Sequence, residues 1–140
     1  MIYIFNALYC EAEPLIREYG LKKKTDETCF PVFFSEKENI LLAVTGCGMN
    51  AATAAVARIC TKRTPQPEDF LVNIGTCAWV STKNESDETY KNVSGEVYLC
   101  KKITEDVTGR TFYPDILYRH PFVEQEIVTG AMPYRTEYTT

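Results

Sequence analysis

A chain of 140 residues with 45% hydrophobic content is sized for one domain with its own core. A net charge of −4 and a pI near 5.1, with the basic residues scattered, argue against a nucleic-acid surface. No apolar run is long enough to span a bilayer, which argues against a membrane partner.

Taken in chain order, Ile2 to Leu8 reads as a buried first strand, rich in Ile, Tyr and Phe. Glu11 to Tyr19 reads as a helix with Pro14 in its first turn, where a missing N–H is tolerated, and Gly20 just past its end. Lys22-Lys23-Lys24, beside Asp26 and Glu27, reads as a solvated helix end rather than a binding patch. Phe30 to Phe34 and Ile40 to Val44 form a hairpin across the polar turn Ser35 to Asn39. A glycine turn, Gly46-Cys47-Gly48, leads into a helix from about Asn50 to Thr61, with Asn50 as its cap and Pro65 and Pro67 beyond it. Phe70 to Ile74 reads as a strand buried on both faces.

Ser81 to Ser94 is polar and reads as a surface loop, and Gly95 to Ile103 as another strand. Asp106 to Arg110 and Phe112 to Asp115 carry turn chemistry. His120 to Thr129 reads as a short helix, and Ala131 to Thr140 has no clear period. Strands alternating with helices predict an α/β sheet, whose ligands sit beyond the carboxyl ends of the strands. The turns after Leu8, Val44 and Ile74 then share one rim.

Six cysteines raise the question of disulfides. Met1-Ile2-Tyr3-Ile4-Phe5 has no charged leader region, and four of the six lie in apolar runs, so the expectation is a cytoplasmic chain with free thiols acting as small hydrophobes. No Cys-x-x-Cys spacing suggests a zinc site.

Three features carry the candidate chemistry. Gly46-x-Gly48-x-x-Ala51 matches a dinucleotide fingerprint, but the acid expected at the end of the next strand is replaced by Asn73 to Thr76. The same glycines equally suit a tight turn that packs Ala51, Ala52, Ala54 and Ala55 on a sheet. Glu11 stands at a strand-to-helix junction, where it either complements the helix dipole or, with its pKa raised by burial, activates water or a sugar hydroxyl. Thr76 ends a strand beside free backbone N–H groups and either closes a turn or holds a polar ligand group. His120, the one histidine, reads as a surface or capping residue. Cys47 and Cys77 lack a neighbouring activating base in sequence and read as small lining residues.

Four stretches, in order, resemble the purine nucleoside phosphorylase and nucleosidase superfamily, nearest to its methylthioadenosine/S-adenosylhomocysteine nucleosidase branch. They are Ala7-Leu8-Tyr9-Cys10-Glu11, Thr45-Gly46-Cys47-Gly48-Met49-Asn50-Ala51-Ala52, Val72-Asn73-Ile74-Gly75-Thr76-Cys77-Ala78, and Gly95-Glu96-Val97 with Asp106-Val107-Thr108. The resemblance implies a three-layer α/β/α domain with a central mixed sheet over residues 1–140, working without a cofactor on a small purine nucleoside, as a homodimer. It implies that Glu11 activates water and that Thr76 helps hold it. Leu8, Gly46, Cys47, Cys77 and Ala78 would line the nucleoside site, and Phe112, with Tyr113, would reach across to a neighbour's pocket.

This sequence departs from the family at Asn6 and Trp79, where glycines are usual. It also has no match to the family's later Met-Glu pair, which grips ribose, or to the Asp that protonates the purine. The resemblance therefore implies a C-terminally truncated domain with an uncovered apolar face prone to association. It leaves three alternatives: a hydrolase, a phosphorylase, or a nucleoside-binding module without catalysis. Asn73, where phosphorylases often carry arginine, favours water over phosphate.

Overall fold

The computed structural model of the protein describes residues 1–78 and 95–130. The loop expected over Ser81–Ser94, Trp79 before it and the tail from Ala131 lie outside the described residues. Backbone contacts divide the chain at Cys77/Ala78 into two compact units.

The first unit runs β1 (Ile2–Asn6), α1 (Tyr9–Glu18), β2 (Lys22–Lys23), β3 (Val32–Ser35), β4 (Ile40–Val44), α2 (Met49–Lys62) and β5 (Phe70–Asn73). Its strands form a mixed sheet in the order β2-β3-β4-β1-β5. Strands β4, β1 and β5 are parallel, with Ile4 opposite Leu42 on one side and Val72 on the other. Strands β3 and β2 join antiparallel through the expected hairpin.

The period-2 alternation of apolar side chains gives this sheet two buried faces. Ile4, Phe33, Ile40, Leu42 and Val44 pack with Ala12, Leu15, Ile16 and Leu21 of the α1 segment. Tyr3, Phe5, Val32, Leu41 and Ala43 pack with Val56 and Ile59 of α2. The expected α/β/α layering, with a mixed central sheet, is what this unit contains.

Several local expectations are corrected. Helix α1 begins at Tyr9, two residues early, so Pro14 lies in its second turn rather than its first. The helix ends in a Schellman motif: Leu21 N–H donates to Ile16 C=O at 2.9 Å and Gly20 N–H to Arg17 C=O at 3.3 Å. Buried Leu21 then anchors the exit. Lys22 and Lys23 follow as a short edge strand rather than a helix end, and exposed lysines there discourage pairing with another sheet edge. Asn50 does not cap α2; Gly48 does, at φ +95°, and Asn50 lies inside the helix. Of the alanines beyond the turn, Ala55 is fully buried, whereas Ala54 is exposed. Strand β5 is not buried on both faces: it stands at the sheet's edge with Leu71 51% exposed.

The second unit contains β6 (Tyr98–Glu105), β7 (Thr111–Phe112) and β8 (Val123–Thr129), in the order β7-β6-β8. Strand β6 begins later than expected, and Asp106 to Arg110 makes the hairpin turn to β7. The helix expected over His120–Thr129 is instead β8, paired in parallel with β6. Val123, Ile127, Val128 and Thr129 are β-branched, and the partner strand decides their state. Lys101 is an extra residue in β6 that shifts the register between Cys100 and Lys102.

All six cysteines are free thiols. None is buried: Cys10, Cys29, Cys47 and Cys77 are exposed, so they do not serve as core residues. Among the described residues no helix is long and apolar enough to cross a membrane.

Candidate active site at the strand ends

Parallel strands end on one side of a sheet, so the turns after β1, β4 and β5 meet there. Main-chain bonds sew them together. Thr45 N–H donates to Asn6 C=O at 2.8 Å, and Gly46 N–H to Ala7 C=O at 3.1 Å. On the other side of β1, Ile74 N–H donates to Phe5 C=O at 3.1 Å. Residues 6–8 therefore lie between the glycine turn and the Ile74–Thr76 turn.

Glu11 rises from the first turn of α1. Leu8 is the N-cap in extended conformation, and its N–H donates to Glu11 Oε2 at 3.0 Å. This is half of a capping box; leucine offers no acceptor for the other half. The remaining carboxylate oxygen faces β5. Thr76 donates to Glu11 Oε1 twice, from its N–H at 2.9 Å and from its hydroxyl at 2.8 Å. A Cβ on Gly75 would stand 3.5 Å from Oε1, an ordinary contact, so closeness here does not depend on glycine. Two residues 65 positions apart in sequence thus share one site.

Partial burial pushes the Glu11 carboxyl upward in pKa, but donation from Thr76, Leu8 and Ala7 outweighs it, and the net shift is downward. The pKa raised by burial that the sequence suggested is therefore corrected. Glu11 is a carboxylate at neutral pH. It accepts hydrogen bonds and orients a donor; it does not supply a proton.

The glycine turn stands where expected. Gly46 at φ +85° and Gly48 at φ +95° occupy backbone that side-chain-bearing residues rarely adopt. Cys47 lies exposed between them, and α2 begins with no side-chain cap and no acidic residue in its first turn. Leu8 (43% exposed), Cys77 and Ala78 are also at the surface. The ledge formed by these turns is open. A cavity of about 190 Å³ lies elsewhere in the unit, lined among others by Glu27, Ile59, Lys62 and Arg63, none of which belongs to the strand-end turns.

The structure brings Glu11, Thr76, Leu8 and Gly46 together through bonded neighbours. It places Phe112 in the second unit, at the end of β7, with its ring 53% exposed, and Tyr113 just after it. His120, expected at the surface or as a cap, is partly buried: its side chain is 18% exposed, stacked on Phe122 and 3.6 Å from Glu124. Among the described residues no cluster of His, Cys, Asp and Glu could hold a metal ion.

One residue of the site was noticed in sequence only as a departure. Asn6 is fully buried, and its Nδ2 donates to Ile74 C=O at 2.8 Å. The available signal was a polar residue ending the otherwise apolar strand Ile2-Tyr3-Ile4-Phe5.

No protein-family model and no curated protein sequence matches this chain. Solved structures do. The 5′-methylthioadenosine/S-adenosylhomocysteine nucleosidase of Neisseria meningitidis, solved with methylthio-immucillin-A, superposes with a TM-score of 0.68 at 21% identity, over 94% of this chain and 64% of that one. A futalosine hydrolase mutant of Helicobacter pylori strain 26695 superposes with a TM-score of 0.67 at 10% identity, over 97% of this chain and 69% of that one. The chain thus shares the fold of these two solved structures and spans about two thirds of their length.

Proposed function

We propose that the strand-end ledge serves hydrolysis of the N-glycosidic bond of a purine nucleoside, giving free base and sugar. The observation that carries this reading is the double donation from Thr76 to one oxygen of an ionised Glu11, at the carboxyl ends of parallel strands. The fold likeness to two nucleosidases supports it.

Glycosidic cleavage passes through an oxocarbenium-like sugar, and an incoming water must be held and relieved of a proton as it adds. Glu11 Oε2 accepts from Leu8 N–H, and an incoming water would compete for this carboxylate with the main-chain donors of Leu8 and Ala7. The Thr76 hydroxyl donates to Glu11, so its own lone pairs are free to accept from the same water. The carbon–nitrogen bond breaks with its electron pair going to the base. The water oxygen bonds the sugar carbon, and its proton passes toward Glu11. The base is protonated by a separate acid, for which the matched motifs supply no residue.

On this reading Gly46, Cys47 and Cys77 make a low wall that lets the nucleoside approach backbone. Leu8 offers it an apolar edge. Phe112 closes the site of a second copy in a homodimer. The whole chain is read as one nucleosidase-type domain.

The test is release of free base from methylthioadenosine or adenosine by the chain, followed by chromatography. Glu11→Gln should lower the rate by about 10²–10⁴-fold, the usual contribution of a positioned proton-transfer group. A free sugar product identifies water as nucleophile, and a sugar phosphate formed only with added phosphate identifies a phosphorylase. Nucleoside binding with no base release overturns the enzymatic reading in favour of a binding module. A sedimentation mass equal to one chain, at the concentration assayed, overturns the dimer.

A further inference from the structure

We infer that Asn6 is a positioning residue for the Glu11–Thr76 pair: its buried side-chain amide holds the Ile74–Gly75–Thr76 turn at the height where Thr76 reaches the carboxylate.

Asn6 ends β1 with no exposed surface. Its main chain and its side chain point to different neighbours. Its C=O accepts from Thr45 N–H at 2.8 Å and from the Thr45 hydroxyl at 3.3 Å, which fixes the turn after β4. Its Nδ2 donates to Ile74 C=O at 2.8 Å, which fixes the turn after β5. One residue therefore clasps both turns that flank the ledge. Ile74 is two residues from Thr76, and β5 has already ended at Asn73. The last main-chain bond tying this turn to β1 is Ile74 N–H to Phe5 C=O. Beyond it, the Asn6 amide is the next tether before Thr76 itself.

The same side chain is a poor choice for stability alone. With Nδ2 committed to Ile74, Oδ1 is buried and has no hydrogen-bond partner among the described residues. Buried acceptors left unpaired are unfavourable, and an apolar or smaller side chain would avoid this one. The donor to Ile74 is what such a replacement would lose.

The titration of Glu11 reports the geometry directly, because Thr76 supplies two of the donors that hold its pKa down. In Asn6→Ala, Glu11 followed by carboxyl carbon NMR should titrate at higher pH than in the parent, and the Thr76 amide should exchange about tenfold faster or more. Val32→Ala, a fully buried change on β3 away from the turn, should lower stability and leave both signals in place. A folded Asn6→Ala with unchanged Glu11 titration and unchanged Thr76 exchange overturns the inference. If that variant does not fold, the unmodified chain decides. One proton of the Asn6 side-chain amide should be protected from exchange, and rapid exchange of both overturns the proposal.

The catalytic consequence rests on the proposed function. There, Asn6→Ala should lower kcat more than it raises KM. The two readings fail separately: a shifted Glu11 titration in a chain that releases no base sustains Asn6 as a tether and sinks the hydrolase. Base release with an unmoved titration does the reverse.

Discussion

Val32 and Val128 are both valines in strands, yet Val32 is fully buried in the first unit and Val128 is 73% exposed in the second. The contrast extends to the units as wholes. Among the described residues, every buried apolar side chain from Tyr3 to Ile59 belongs to the first unit. In the second, Phe112, Tyr113, Leu117, Val123 and Val128 are each more than half exposed. The first unit puts a helix on each face of its sheet; the described part of the second contains strands alone. A strand's hydrophobicity becomes stability only where another layer covers it. The ledge that carries Glu11 and Thr76 stands on the well-packed unit, as a site that must hold a carboxylate to within a few tenths of an ångström requires.

The largest expected effect separates the two units directly. Leu42→Ala, in the core between α1 and the sheet, should lower stability by about 2–5 kcal/mol in urea denaturation. Val128→Ala should change it by no more than about 0.5 kcal/mol. Equal effects would break the comparison.

Acid should act on the first unit through Glu11. Its folded pKa lies below the ordinary value of 4.5, so the unfolded chain binds this proton more readily. The stability it contributes is complete above that value and is lost as pH falls through the folded pKa. Urea midpoints measured at neutral pH and near pH 3 should therefore converge in Glu11→Gln relative to the parent. An unchanged acid sensitivity would remove Glu11 from the account.

A smaller effect is expected from Thr76→Val, which deletes the hydroxyl and keeps the N–H. It should cost about 1 kcal/mol and move the Glu11 titration upward, read by NMR. A further small effect belongs to the second unit. Lys102 and Glu126 pair at 2.8 Å across β6 and β8, but both are substantially exposed. Lys102→Ala should shift stability by about 0–1 kcal/mol, less at high salt.

Much of the first unit was legible because its signals are local. Ile2 to Phe5 and Ile40 to Val44 are short β-rich runs, and Gly46-Cys47-Gly48 punctuates a strand-to-helix step. The order of four motifs also pointed to the fold that the solved neighbours share. The errors fell where a partner decides. Val123 to Thr129 became a strand because β6 pairs with it, and β5 is half exposed because it lies at the edge. Pro14 was read one turn too early because the helix starts at Tyr9, pinned by Leu8 and Glu11.

At the site, the sequence by itself determined the parts: a carboxylate three residues beyond an extended Leu8, a hydroxyl at the end of an apolar strand, and glycines where the backbone turns. Each is set by local chemistry that few residues satisfy. Only the tertiary structure decided that Thr76 meets Glu11, that their hydrogen bonds outweigh burial and keep Glu11 ionised, and that Asn6 reaches Ile74. Those outcomes depend on parallel strands bringing residues some 65 positions apart to hydrogen-bond distance, and the Glu11 pKa follows from the donors of distant Thr76 together with those of nearby Leu8 and Ala7.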